Sequence, residues 1–175
     1  TVLLCATGKG EPHRKVCSSS DRHLRDFRKK LEDLMQELAR QIVRDGEGAS
    51  KFVTIQISGG ASEKAARRIG LAVANSPLVK TAIAGGDANW GRVVMAVGKT
   101  GEKVDRDLLS ISMGGIPIAR KGEIIKGYDE KPVTAHLKGR EIMLEIDVGV
   151  GRGCATVWTC DLTHDYITIN ADYRS

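Results

Sequence analysis

The sequence predicts an α+β fold in which helices form a layer on a mixed or antiparallel sheet. Two segments in the first half have apolar residues every three or four positions, the period of an amphipathic helix. After residue 103, short alternating or β-branched runs are separated by glycine and aspartate, which is typical of antiparallel strands. With 175 residues, 41% of them hydrophobic, the chain is long enough for one domain with a real core, or for two very small ones.

The first predicted element is a strand at residues 1–7, because TVLLCAT is apolar and partly β-branched. Such a strand is expected to be buried, and no initiator methionine precedes it. We therefore expect that an upstream part of the protein is missing from this chain. A polar, basic loop is predicted at residues 9–19.

A long helix is predicted from Ser20 or Asp21 to about Arg44. Ser20 is a suitable N-cap, Asp21 lies near the positive end of the helix dipole, and two glycines follow the expected end. One apolar stripe runs along the helix through Leu24, Phe27, Leu31, Leu34, Leu38 and Ile42. We expect this stripe to pack against the missing segment or a partner chain, and to be exposed in their absence.

Next come a strand at residues 52–58, in which apolar and polar residues alternate, and a second helix at residues 62–75, which has a face of small apolar residues. Pro77 is expected to close that helix. Further strands are predicted at residues 78–84, 93–97, 108–113, 116–120, 123–125, 133–137, 141–148, 155–160 and 166–169.

Charge and composition exclude several classes of protein. The net charge is +5, and much of it belongs to a basic cluster: His13, Arg14, Lys15, Arg22, Arg25, Arg28, Lys29 and Lys30. Only 4% of the residues are aromatic, which leaves little stacking surface for single strands, so we interpret the cluster as a solvated face and predict no nucleic-acid partner. No apolar run approaches the roughly 18 residues of a membrane helix and no signal peptide opens the chain. The prediction is a cytoplasmic protein without a membrane partner.

Cysteine spacing and glycine spacing predict neither a metal nor a nucleotide cofactor. Cys5, Cys17, Cys154 and Cys160 form no CxxC pair and do not pair with histidines at zinc spacing, and we expect small buried side chains with at most one exposed thiol. The GKT at residues 98–100 lacks the upstream glycine of a Walker A loop, and the GVGRG at residues 149–153 precedes a strand instead of a helix.

Three segments leave a functional and a structural interpretation open. Glu47 lies between two glycines, so it is either an open carboxylate for a ligand or a solvated residue after a helix C-cap. The segment 85–92, GGDANWGR, is either a structural corner held by an ionic turn or part of a site. The last residues, 169–175, form a frayed tail or a docked one.

The stretches TVLLCATG, RDGEGASK, AGGDANWGR, GVGRGCATVWTCDLTHDY and the terminal NADYRS follow one another along the chain. In this order they resemble the ornithine acetyltransferase (glutamate N-acetyltransferase) family. The resemblance implies an autoprocessed α+β enzyme and identifies residues 1–175 with a segment of its β subunit. It also implies acetyl transfer from N2-acetylornithine to glutamate, with acetyl-CoA as a possible second donor and no other cofactor, in an α2β2 heterotetramer with the α subunit of the same precursor.

The resemblance also assigns site residues. Glu47, Asn170 and Ser175 match the substrate-binding positions of the family, and Ser175 keeps the hydroxyl of the usual threonine. The family's nucleophile is an N-terminal threonine in an Ala-Thr-Met-Leu context, whereas Thr1 is followed by Val-Leu-Leu. We therefore give Thr1 no catalytic role and expect no catalytic residue in this chain. In two other departures from the family, Ala88 replaces a proline and His164 replaces a common tyrosine.

Three functions stay open at this point. The first is the acetyltransferase, which is expected to be inactive without its upstream segment and α subunit. The second is a related autoprocessed amidase or aminopeptidase, against which the DGEGASK and NADYRS stretches argue. The third is a non-enzymatic basic binding module.

Overall fold

The computed structural model describes residues 2–172. The chain divides into two compact units, Thr1–Ala39 and Arg40–Ser175. In the first unit, residues 2–20 form neither helix nor strand, and a short 3-10 turn at Arg22–Leu24 leads into helix α1, Arg25–Arg44. The Asp21 carboxylate accepts a hydrogen bond from the His23 backbone N–H at 2.9 Å. This bond is the main cause that holds the pKa of the Asp21 carboxyl below its ordinary value, and the hydrogen bond between Asp21 and the His23 ring is the next largest.

The strand predicted at residues 1–7 is wrong for residues 2–7, while Thr1 lies outside the described residues. Leu3 is 85% exposed, and none of the described strands pairs with this segment. An apolar run becomes a strand only where a neighbouring strand satisfies its backbone, so composition was a misleading signal here. The predicted long helix is confirmed, and most of its apolar stripe is exposed, with Phe27 at 52%, while Leu24 and Leu31 are half-buried.

The second unit is built on a six-stranded sheet within the described residues, in the order β4-β3-β2-β5-β1-β6. The strands are β1 Phe52–Gly60, β2 Ser110–Met113, β3 Ile116–Arg120, β4 Glu123–Ile124, β5 Glu141–Asp147 and β6 Gly153–Cys160. β1 runs parallel to β5, and the other neighbouring pairs are antiparallel, so the sheet is mixed.

Five helices accompany this sheet in the described part of the second unit. They are α2 Glu63–Ala74, α3 Pro77–Ala84, α4 Trp90–Gly98, α5 Glu130–Leu137 and α6 His164–Asp172. All five begin after a side chain that accepts a backbone N–H of the first turn, which is the standard way to satisfy a helix N-terminus. These N-caps are Ser62, Ser76, Asn89, Asp129 and Thr163.

The core lies on one face of the sheet. Val53, Ile55 and Ile57 of β1 are buried on that face together with apolar residues of β5 and of α2. Gly70 allows α2 to approach closely, because a Cβ there would lie 3.0 Å from a methyl group of Val157. Gln56 and Ser58 alternate with the buried residues of β1, so the opposite face of the sheet is polar.

The α+β prediction is confirmed, but four predicted strands are wrong: residues 78–84, 93–97, 133–137 and 166–169 lie in α3, α4, α5 and α6. Short apolar runs have no decisive period, and the preceding caps Ser76, Asn89 and Asp129 were the stronger local signal. The region after residue 103 is therefore not all-β. Among the helices of residues 2–172, none combines the length and the apolarity needed to cross a membrane.

Candidate functional site

The loop that joins α1 to β1 carries Glu47. It contains one tight turn, in which the Ala49 N–H donates to the Gly46 carbonyl at 2.9 Å. Gly48 has a φ of +67°, in the left-handed region that favours glycine. Glu47 lies between these two glycines and its side chain is exposed.

The structure brings Glu47 and Asn170 together although 123 positions separate them. Asn170 lies in the last part of α6, and its Nδ2 donates to Glu47 Oε2 at 2.9 Å. The same Nδ2 donates to the Tyr166 carbonyl at 2.8 Å, which fixes the amide on the helix surface. Two of the three predicted substrate-binding residues are therefore in contact, and the third, Ser175, lies outside the described residues.

The pair leaves acceptors open for a ligand. Within residues 2–172, neither Glu47 Oε1 nor Asn170 Oδ1 makes a hydrogen bond. Both side chains are exposed, so a ligand can reach them. A carboxylate beside an amide oxygen offers one negative charge and two acceptors, which suits an ammonium group.

Asp161 holds the end of the loop, and sequence reasoning did not find it. This residue directly follows β6 and is only 2% exposed. Its carboxylate accepts the Ser50 N–H at 2.8 Å, the Ser50 hydroxyl at 2.5 Å and the Lys51 N–H at 2.9 Å. A buried carboxylate is stable only when donors satisfy it, and these three come from the Glu47 loop. The only signal in the sequence was an acidic residue at the end of an apolar strand.

Two further contacts fasten the middle of the loop to the start of α6. The Thr163 hydroxyl donates to the Gly48 carbonyl at 2.6 Å. The Gly48 backbone lies so close to α6 that a Cβ on it would stand 2.5 Å from the Tyr166 nitrogen. Sequence reasoning missed Thr163 as well, because it predicted a strand at residues 166–169 and therefore no helix start after this threonine.

The segment 85–92 is a structural corner in which the polar groups hold the backbone. Asn89 Nδ2 donates to Asp87 at 3.1 Å, while Asn89 Oδ1 accepts the Arg92 N–H at 3.2 Å and so caps α4. Arg92 donates to the Leu78 carbonyl at 2.9 Å and the Thr81 hydroxyl at 3.2 Å, so the ionic turn expected with Asp87 is not formed among the described residues. Trp90 is half-buried and packs against the core.

The cysteines are less buried than expected. Cys5, Cys17 and Cys154 are exposed and Cys160 is half-buried, so the burial prediction is wrong. Their surroundings explain this, because the first two lie in the irregular segment 2–20 and Cys154 lies on the polar face of the sheet. In the part of the chain that the structure describes, no three His, Cys, Asp or Glu side chains form a group that could hold a metal ion.

Several cavities lie in the described part of the second unit. One of about 620 Å³ covers the polar face of the sheet and is lined by Ser112, Glu145 and Thr156 among others, but by neither Glu47 nor Asn170. One of about 310 Å³ borders the Glu47 loop, with Ser50 and Lys51 in its lining. A mostly apolar cavity of about 400 Å³ is lined by Thr163, which also bonds the Glu47 loop.

Comparisons of the sequence and of the structure with known proteins identify the same family. The model of the ArgJ family matches residues 1–175. The arginine biosynthesis bifunctional protein ArgJ of Zymomonas mobilis is 55% identical over all of this chain and 42% of its own length, and that of Gluconobacter oxydans is 55% identical over 99% and 41%. The chain thus spans about two-fifths of the length of these curated relatives. The crystal structure of arginine biosynthesis bifunctional protein ArgJ from Bacillus halodurans superposes with a TM-score of 0.86 at 36% identity, covering 91% of this chain and 75% of that one.

Proposed function

The chain belongs to the ArgJ family, and from this premise we propose that it is the substrate-holding part of an acetyltransferase. The enzyme moves an acetyl group from N2-acetylornithine to glutamate, and residues 1–175 are a segment of its β subunit. The names of the relatives, bifunctional proteins of arginine biosynthesis, support a biosynthetic role for this chain.

One observation carries the proposal, namely the hydrogen bond between Asn170 Nδ2 and Glu47 Oε2 at 2.9 Å. Both proposed substrates carry an amino group that is cationic when it is not acylated, and the open oxygens of this pair suit such a group. Charge-assisted hydrogen bonds to a carboxylate are about twice as strong as neutral ones. Glu47 and Asn170 therefore hold the substrate ammonium, and Ser175 is proposed to complete the set.

The chemistry itself is proposed to depend on parts of the protein outside this chain. An upstream threonine hydroxyl attacks the acetyl carbonyl of N2-acetylornithine; the threonine O–C bond forms, the amide C–N bond breaks, and the ornithine nitrogen takes the proton. The glutamate amine then attacks the acyl-enzyme; the new N–C bond forms, the ester C–O bond breaks, and the threonine recovers its proton. The terminal amine of that threonine serves as the base.

The partners follow from the same proposal. The α subunit of the same precursor supplies the donors that stabilise the oxyanion, and two copies of each subunit form an α2β2 heterotetramer. Acetyl-CoA is a further acetyl donor, and no other cofactor takes part. Cytoplasm is the proposed location.

Steady-state transfer from N2-acetylornithine to glutamate by the complete, assembled protein tests the role of Glu47. We expect Glu47→Gln to assemble normally and to raise KM by about 10- to 100-fold, because a charge-assisted hydrogen bond contributes roughly 1.5–3 kcal/mol. Glu123→Gln is the matched control, since Glu123 is another exposed glutamate, on β4.

Unchanged kinetics in Glu47→Gln would refute the substrate-holding role. Acetyl release to water without transfer to glutamate, in the parent protein, would instead favour the amidase. Both measurements use the same assay, so the residue assignment and the reaction class are tested separately.

A further inference from the structure

We propose that the segment 161–166 is a positioning element, which sets the spacing between the Glu47 carboxylate and the Asn170 amide through Asp161, Thr163 and the close approach of Gly48. The inference rests on the proposed function, because it concerns the geometry of the same substrate-holding pair. It adds residues that sequence reasoning did not assign to the site.

The Glu47 loop has little internal structure of its own. Its described backbone bonds near Glu47 are the turn from Ala49 to Gly46 and the helix-end bonds from Asp45 to Gln41 and from Gly46 to Val43. From the segment that follows β6, Thr163 bonds the Gly48 carbonyl, and Asp161 bonds Ser50 and Lys51. At the far end of the loop, Lys51 Nζ also donates to the Ile83 and Ala84 carbonyls of α3. Among these contacts, the one nearest to Glu47 along the backbone is therefore made by the segment that follows β6.

Tyr166 serves as the common reference point for both members of the pair. The backbone of Gly48, next to Glu47, approaches the Tyr166 nitrogen so closely that a Cβ would stand 2.5 Å from it. Asn170, one turn further along α6, donates to the Tyr166 carbonyl at 2.8 Å. Because Glu47 and Asn170 are both placed relative to the backbone of the same residue, their separation depends on the closeness of Gly48 to α6.

This arrangement makes the pair sensitive to small changes in the loop. A Cβ on Gly48 would need about 1 Å of additional space to reach an ordinary van der Waals distance. A shift of that size would carry Glu47 Oε2 out of the 2.9 Å hydrogen bond with Asn170. Misplacement by about 1 Å can reduce the efficiency of an enzyme by two orders of magnitude.

Gly48→Ala in the complete, assembled protein is the direct test, with Gly101→Ala as its matched control. Gly48 and Gly101 both have a φ of +67°, but a Cβ on Gly101 would meet nothing within 4 Å. Both variants therefore carry the same left-handed strain, and only Gly48→Ala pushes against α6. We expect KM for both substrates to rise at least about tenfold in Gly48→Ala with a smaller change in kcat, and to stay unchanged in Gly101→Ala.

A second pair of variants alters one hydroxyl without adding bulk. Thr163→Val removes the hydroxyl that donates to the Gly48 carbonyl and accepts the Asp165 N–H, and Thr163→Ser retains it. We expect about a tenfold rise of KM in Thr163→Val and a return to within about twofold of the parent in Thr163→Ser. A purely structural role for Thr163 would lower Tm without changing KM.

The outcomes separate this inference from the proposed function. If Glu47→Gln raises KM while Gly48→Ala and Thr163→Val do not, the positioning role is overturned and the role of Glu47 stands. If Glu47→Gln leaves KM unchanged, the substrate-holding role itself fails, and the positioning role with it. If Gly48→Ala does not assemble, the Thr163 variants decide: rescue by serine supports the inference, and equal KM in both overturns it.

Discussion

The Glu47 loop at residues 45–51 and the corner at residues 85–92 have similar compositions but different uses. Each follows a helix, contains glycine and combines acidic and basic side chains. In the corner, Asp87, Asn89 and Arg92 bond one another or nearby backbone and side-chain groups. In the loop, Glu47 keeps an oxygen without a hydrogen bond to any described residue. A charged side chain that keeps an acceptor without a hydrogen bond thus indicates a site better than the composition of the segment does.

The two regions also hold the same helix from opposite ends. Lys51 Nζ donates to the Ile83 carbonyl at 2.6 Å and to the Ala84 carbonyl at 3.2 Å, at the C-terminal end of α3. Arg92 reaches the Leu78 carbonyl near the start of that helix. The difference is the buried Asp161, which fixes the loop and has no counterpart among the described contacts of the corner. The loop therefore depends on a distant part of the chain, and the corner on local caps.

Removal of Asp161, which holds the loop but has no counterpart in the corner, should have the largest effect on stability. Asp161→Ala leaves three part-buried donors of Ser50 and Lys51 without an acceptor, and we expect a loss of about 3 kcal/mol in the free energy of unfolding. Asp161→Asn should lose much less, because its amide oxygen still accepts the backbone N–H groups and the Ser50 hydroxyl can turn to accept the amide. Urea unfolding of the complete protein measures both. Equal losses in the two variants would contradict this explanation.

The corner should respond to a smaller change and only in stability. Asn89→Ala removes the side chain that caps α4, and an N-cap contributes about 1 kcal/mol. We expect that loss in thermal or urea unfolding with no change in KM, and Asn89→Ser should recover most of it, since serine is an equally good N-cap. A raised KM in Asn89→Ala would show that the corner contributes to the site after all.

What the sequence could predict follows the same division between local and distant contacts. Sequence reasoning could predict the long helix, β1, α2, β5 and β6. Each shows its hydrophobic period over a long enough segment, and caps or glycines mark the boundaries. Residues 78–84 and 93–97 were not predictable, since short apolar runs fit a strand and a buried helix face equally well. The two glycines around Glu47 left its role ambiguous, and only the family resemblance assigned Glu47 and Asn170 to a site. Asp161 lies 110 positions from Lys51, a contact that no local pattern encodes.

The smallest effect is expected from the loss of an ion pair that lies outside both regions. Arg68 hydrogen-bonds Glu102 on the surface, and this bond holds the pKa of the Glu102 carboxyl below its ordinary value of 4.5. A depressed folded-state pKa adds stability above about pH 4.5, which is lost as the pH falls through the folded value. We expect Glu102→Gln to lower Tm slightly at neutral pH and low salt, and the difference to disappear under acidic conditions. Thermal unfolding between neutral pH and pH 3, with Glu123→Gln as the unpaired control, measures this, and a difference that persists at acidic pH would exclude the ion pair as its cause.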